Sequence, residues 1–211
     1  MKKTAVIFDL DGTLLNTLED LKNALNYALA SQGYPTRTLA EVRRFVGNGI
    51  PKLIERAAPP EAPVQALLDV FLPYYQAHNM DLTRPYDGVD RLLDRLRDQE
   101  RPMAIVTNKV HSAAVTLCGQ FFPQVGTVVG AQPGLQNKPA PDMVRAALEL
   151  LGVGRSEAVY VGDSEVDLAT ARNAGLPFVC VTWGFRDREE LERQGATTFA
   201  ADPEELWQIL D

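Results

Sequence analysis

The sequence predicts an α/β protein: a doubly wound, mostly parallel sheet with an all-helical domain inserted into it. Three observations carry this: short β-rich apolar runs that recur along the chain, helical patterns between them, and one long stretch of purely helical periodicity after the first run.

The first run, TAVIF at 4–8, ends in Asp-Leu-Asp-Gly and reads as a buried strand delivering its end into a turn. Downstream, PMAIVTN (102–108), GTVVG (126–130), EAVYVGD (157–163) and PFVCVTW (177–183) are too short for helices and rich in valine and isoleucine, as strands buried on both faces are. Between them, Val89, Leu92, Leu93 and Leu96 share one helical face, as do Val144, Ala147, Leu148 and Leu151, and Val166, Leu168, Ala169 and Ala171. Strand alternating with helix gives parallel pairing through right-handed crossovers, a Rossmann-like core.

Residues 17 to about 80 break that rhythm. Leu18, Leu21, Leu25, Ala28 and Leu29 open a first helix, and Thr38 with Glu41 is a capping-box signature for a second. Gly47 and Gly49 punctuate its end, Pro51 suits the first turn of a third, and residues 61–79 read as a fourth interrupted by Pro73. The expected division is an α/β core of residues 1–15 and 82–211 around a helical cap of residues 16–81. The junctions near Leu15–Thr17 and Asp81–Pro85 are candidate hinges of a lid.

With 45% hydrophobic and 23% charged residues, the 211-residue chain can bury a full core. Its net charge of -7 and pI near 4.9 argue against a nucleic-acid partner, because there is no broad basic surface to neutralise a phosphate backbone. The run after Lys2 and Lys3 is too short for a signal peptide, and no run reaches a membrane span, so a cytoplasmic protein without a membrane partner is expected. Cys118 and Cys180 read as two reduced core thiols. Oligomeric state stays open between monomer and dimer.

Ligands of parallel sheets bind beyond the carboxyl ends of the strands. Those ends carry Asp9, Asp11, Gly12 and Thr13, then Thr107 and Asn108, then Lys138 in the following segment, then Gly162, Asp163 and Ser164 with Asp167 four residues on. Each alone has a structural explanation as a turn, a cap or a surface residue. Together at successive strand ends they supply what phosphoryl transfer requires: a nucleophile, cation ligands, donors for phosphate oxygens and an acid for the leaving group. Carboxylates without a neighbouring histidine suit magnesium rather than zinc. Asp9, bound to the cation, is the expected nucleophile and Asp11 the acid and base. Lys138 and Thr107 would hold phosphoryl oxygens, the amides of Leu10, Asp11, Gly12 and Asn108 would cradle them, and Asp163 would complete the metal site. Asp167 is placed to orient Lys138 or a metal-bound water, with Ser164 supporting it.

In order along the chain, FDLDGTLLNT, VTNK, NKPAPDM and VGDSEVD resemble the four signature motifs of the haloacid dehalogenase-like hydrolase superfamily, over essentially the whole length. The resemblance implies the same roles for Asp9, Asp11, Thr107, Lys138 and Asp163, with Asp11 ligating magnesium through its backbone carbonyl. It also implies phosphate esters as substrates, because the dehalogenase branch lacks a carboxylic acid at the position of Asp11. The insert, with RRFVGNGIPKLIERA at 43–57, is similar to the cap of the subfamily containing phosphoglycolate phosphatases. That similarity implies a small phosphorylated metabolite, with Arg43 or the amides around Gly47, Asn48 and Gly49 receiving its anionic head. A solvated arginine and a plain glycine turn are the alternative there. Other sugar phosphatases, pyrophosphatases and phosphomutases share the layout. Receiver domains of signalling relays share the aspartates, threonine and lysine, but need no helical insert.

Overall fold

A computed structural model describes residues 4–211; residues 1–3, with Lys2 and Lys3, lie outside the described residues. In chain order the elements are β1 (Ala5–Phe8), β2 (Leu15–Asn16), α1 (Leu18–Ser31), α2 (Leu39–Phe45), α3 (Ile50–Ala57), α4 (Val64–His78), β3 (Arg84–Pro85) and α5 (Val89–Asp98). They continue with β4 (Met103–Val110), α6 (His111–Phe121), β5 (Thr127–Ala131), α7 (Asp142–Leu151), β6 (Ala158–Gly162), α8 (Glu165–Ala174), β7 (Phe178–Val181), α9 (Arg188–Arg193), β8 (Phe199–Ala200) and α10 (Pro203–Leu210). Two compact units result, Met1–Leu15 with Pro85–Asp211, and Asn16–Arg84.

The first unit is built on a six-stranded sheet in the order β5-β4-β1-β6-β7-β8, with every pairing parallel. The chain runs outward from β1 in one direction through β4 and β5, then returns to β6 beside β1 and runs outward the other way. The order therefore reverses between β1 and β6, the position where a parallel sheet opens a crevice at its strand ends. Alternate residues of β1 serve opposite faces. Val6 and Phe8 join Leu93 of α5, Leu117 of α6 and Leu206 of α10 in one core, whereas Ala5 and Ile7 join Met143 and Val144 of α7 and Ala171 of α8 in the other. A smaller cluster of Leu168, Cys180, Leu191 and Ala196 seats α9. Both cysteines are free and buried, and burial pushes their thiols up to about 12, so they are inert packing residues.

The second unit is four helices. Thr38 caps α2 by a full capping box, and Pro51 lies in the first turn of α3. Pro73 does not interrupt the fourth helix: α4 runs continuously through it. The missing Pro73 N–H costs α4 one helical bond, that to the Asp69 carbonyl, and both residues are exposed, where such a loss is tolerated. The unit ends at Arg84, three residues beyond the expected boundary at residue 81, because Asp20 holds the return segment. Its buried carboxylate accepts from the Leu82 and Thr83 amides (3.0 and 2.8 Å) and the Thr83 hydroxyl (2.8 Å).

Beyond the elements expected from the sequence, the fold adds the two-residue strands β2, β3 and β8 and the helices α6, α9 and α10. No helix among the described residues is long and apolar enough to cross a membrane.

Candidate active site

The carboxyl ends of β1, β4 and β6 and the turn between β5 and α7 bring Asp9, Thr107, Asp163 and Lys138 to one end of the sheet. Asp9 follows β1 directly and is fixed by its amide, which donates to the Val161 carbonyl of β6 (2.9 Å). Its side chain is largely buried and accepts through Oδ1 from the Lys138 ammonium at 2.7 Å. Lys138 Nζ also donates to Asp167 Oδ1 (2.8 Å) and the Tyr160 hydroxyl (3.3 Å), and that hydroxyl donates to Asp167 Oδ1 (3.2 Å). Lys138 is held by its backbone as well, because Asn108 accepts from the Lys138 amide (2.8 Å) and donates to its carbonyl (3.1 Å).

Asp167 is fully buried in the first turn of α8. Its Oδ2 accepts from the Ser164 amide (3.1 Å) and hydroxyl (2.5 Å), while Ser164 caps α8. That capping box orients the other oxygen toward Lys138. Gly162 has no room for a side chain, since a Cβ there would stand 2.5 Å from Asp167.

Asp163 is also buried. Its Oδ1 accepts from the Thr13 hydroxyl (3.1 Å) and its Oδ2 from the Phe185 amide (2.7 Å). Gly12, at φ +93°, adopts a backbone that favours glycine, and a Cβ on it would lie 2.4 Å from the Asp163 carboxylate. Thr107 is buried and its Oγ1 accepts from the Lys109 amide (3.1 Å).

One oxygen each of Asp9, Asp163 and Asp167 lie within 4.8 Å of one another. Burial, then Asp167, pushes the Asp9 carboxyl well above the usual carboxylate range despite Lys138. Burial, again followed by Asp167, lifts Asp163 to about 7. Burial alone would depress Lys138, but Asp167 and Asp9 outweigh it and hold the ammonium well above the ordinary lysine value. Three buried carboxylates thus face one ammonium, and full ionisation leaves two negative charges uncompensated. An all-oxygen donor set with that excess fits a hard divalent cation such as magnesium.

The Asp11 side chain stands outside this carboxylate group. It is partly exposed, and its Oδ1 accepts from Lys109 Nζ at 3.0 Å. Lys109 was not singled out in the sequence, nor were Tyr160, Thr13 as a partner of Asp163, or the Phe185 amide. Within the helical unit, Arg43 lies half-buried on α2. Gly47, Asn48 and Gly49 form the turn before α3, braced by Arg56, which donates to Asn48 Oδ1 (2.6 Å) and the Phe45 carbonyl (2.8 Å).

The sequence pattern of the haloacid dehalogenase-like hydrolases matches residues 6–181. A phosphoglycolate phosphatase of Cereibacter sphaeroides (strain ATCC 17025 / ATH 2.4.3) is 39% identical, over 86% of this chain and 86% of its own length. One from Xanthomonas campestris pv. campestris (strain 8004) is 35% identical over 97% and 95% respectively. A crystal structure from Lactobacillus delbrueckii subsp. bulgaricus, provisionally named a phosphoglycolate phosphatase, superposes with a TM-score of 0.93 at 34% identity and covers 100% of this chain and 99% of its own.

Proposed function

Since this chain belongs to the haloacid dehalogenase-like hydrolases and is a phosphoric monoester hydrolase, we propose that it hydrolyses a small phosphate monoester, foremost 2-phosphoglycolate, with magnesium and through an aspartyl-phosphate on Asp9. The observation that carries this reading is the buried chain Asp9–Lys138–Asp167 beside Asp163 at the switch point of the sheet.

In the proposed reaction an Asp9 carboxylate oxygen bonds to phosphorus as the phosphorus–ester oxygen bond breaks, and Asp11 gives its proton to the departing oxygen. Asp11 then takes a proton from water as that water attacks phosphorus, releasing inorganic phosphate and the Asp9 carboxylate. Lys138 neutralises Asp9 before reaction and the phosphoryl oxygens during it, while Asp167 holds its ammonium and Asn108 its backbone in place. Thr107 and the amides of Asp11, Gly12 and Asn108 are donors for phosphoryl oxygens. Asp9, Asp163 and the Asp11 carbonyl would hold the magnesium, which when bound shields phosphate charge.

Recognition of the rest of the substrate belongs in this reading to the helical cap, through Arg43 or the amides of Gly47, Asn48 and Gly49. Phosphate release from a panel of small esters, with and without magnesium, tests this assignment. Magnesium-dependent turnover fastest on phosphoglycolate is expected, and Arg43→Ala should erase most of the preference over neutral esters. An unchanged preference would remove Arg43 from recognition. Preference for another ester would retain the phosphatase and discard the named substrate. Phosphoryl return to substrate instead of water would mark a mutase.

A pH signature follows from Asp163. Its folded value of about 7 lies above the ordinary carboxylate value of 3.8, so its stabilising contribution in the metal-free protein is complete below about pH 4. That contribution is lost as the pH rises through 7. Magnesium needs the ionised form, so the rise in melting temperature between chelator and magnesium should be small at pH 5 and several-fold larger at pH 8. Equal rises at both values would contradict Asp163 as a ligand.

A further inference from the structure

The segment after β7, residues 182–187, supplies the Phe185 amide that fixes Asp163, yet neither the phosphoryl-transfer chemistry nor the sequence motifs use it. Two of its contacts lie away from the Asp163 carboxylate oxygens. Trp183 Nε1 donates to the Thr13 carbonyl (2.9 Å) on the turn that follows β1. Arg186 is buried and grips Glu165 of α8 with two donors, Nε to Oε2 at 2.7 Å and Nη2 to Oε1 at 3.2 Å.

Between these anchors lies Gly184, where a Cβ would stand 2.3 Å from the Asp163 Cβ and 2.4 Å from the Gly12 carbonyl oxygen. The segment is therefore pressed onto the back of the carboxylate. Thr13 occupies one oxygen and Phe185 the other, so both act on the side chain that brings an oxygen within 4.8 Å of Asp9 and Asp167. A carboxylate held at both oxygens cannot rotate to follow a displaced cation, and outer hydrogen bonds of this kind set ligand direction.

We propose that Trp183 and the Arg186–Glu165 pair are positioning residues that set the affinity for magnesium by clamping the segment 182–187 against Asp163. The inference rests on the reading of Asp163 as a cation ligand. The clamp acts by preorganisation: without it the Phe185 amide drifts, and binding must first order the segment.

Two conservative variants remove one anchor each. Trp183→Phe keeps a ring and deletes the N–H; Glu165→Gln keeps the shape and deletes the charge. Titration calorimetry of each intact protein with magnesium chloride, substrate absent, should show a dissociation constant raised about 10-fold. Melting in chelator reports any general loss of packing, which by itself leaves the dissociation constant unchanged. Asp163→Asn separates the two levels of the argument. If wild type binds magnesium, Asp163→Asn does not, and both anchor variants bind as wild type does, the clamp is refuted and the ligand assignment stands. If Asp163→Asn binds as wild type does, or wild type binds no magnesium, the ligand assignment fails and the clamp with it.

Discussion

Replacing Asp9 by asparagine should lower kcat by about 10^4-fold or more, the scale on which loss of a covalent nucleophile registers, while the protein stays folded. The amide is nearly isosteric, and its oxygen can still accept from Lys138, so the 2.7 Å contact keeps its geometry. The stability effect has a definite sign. Asp9 is held well above the ordinary carboxylate range, first by burial and then by Asp167. Its contribution in the metal-free protein is therefore full below about pH 4 and lost as pH rises through the raised value. Asp9→Asn removes that titration, so in chelator the variant should melt no lower than wild type at pH 8. Thermal melts at pH 5 and 8 alongside steady-state rates check both halves. Residual turnover within 100-fold of wild type, on the scale of general acid or base loss, would displace Asp9 from the nucleophile's role.

Lys138→Ala should be the most damaging change to stability and activity together. Lys138 is the ammonium against Asp9 and Asp167, and its removal leaves two buried carboxylates without countercharge. Breaking a buried pair by deleting one partner costs about 3–5 kcal/mol, equivalent to a melting temperature lowered by on the order of 10 °C in a chain of this size. The loss should be largest at pH 8 and shrink toward pH 5, where a proton on Asp9, already held well above the usual carboxylate range, replaces the lysine. Rates should fall even in the folded fraction, because the proposed reaction relies on Lys138 to neutralise Asp9 and then the phosphoryl oxygens. Arginine should not restore them, since a planar guanidinium fork does not reproduce the single point charge that Lys138 brings to Asp9, Asp167 and the Tyr160 hydroxyl. A variant that melts as wild type does at pH 8 would contradict the electrostatic account of the site.

Much of this was legible in the sequence because the strands that matter are apolar runs ending abruptly in charge. Phe8 to Asp9 and Gly162 to Asp163 each change from core to site within one residue, and Thr38 with Glu41 announces α2 by a local hydrogen-bond pattern. What stayed hidden depends on contacts between distant residues or on groups that have no letter. Lys109 follows Thr107 and Asn108 as an ordinary polar residue, and only the packed sheet brings it to Asp11, 98 positions away. Tyr160 reads as one more core residue of β6 until the fold places its hydroxyl between Lys138 and Asp167. The donor to Asp163 Oδ2 is a backbone amide, which every residue but proline carries, so Phe185 gave no signal. The strand β8 is two residues long and takes its identity from pairing with β7 alone.

The central claim is covalent transfer to Asp9 with Asp11 as acid and base, and p-nitrophenyl phosphate with Asp11→Asn tests it most directly. The p-nitrophenolate leaving group needs no acid, so the first step survives the substitution while the hydrolysis that requires a base stalls. Rapid mixing with magnesium should give a burst of p-nitrophenolate stoichiometric with protein, and mass spectrometry of the quenched sample should find phosphate on the peptide carrying Asp9. A variant that shows no burst and no phosphopeptide, in a protein whose Asp9→Asn form still hydrolyses the ester, would contradict the account.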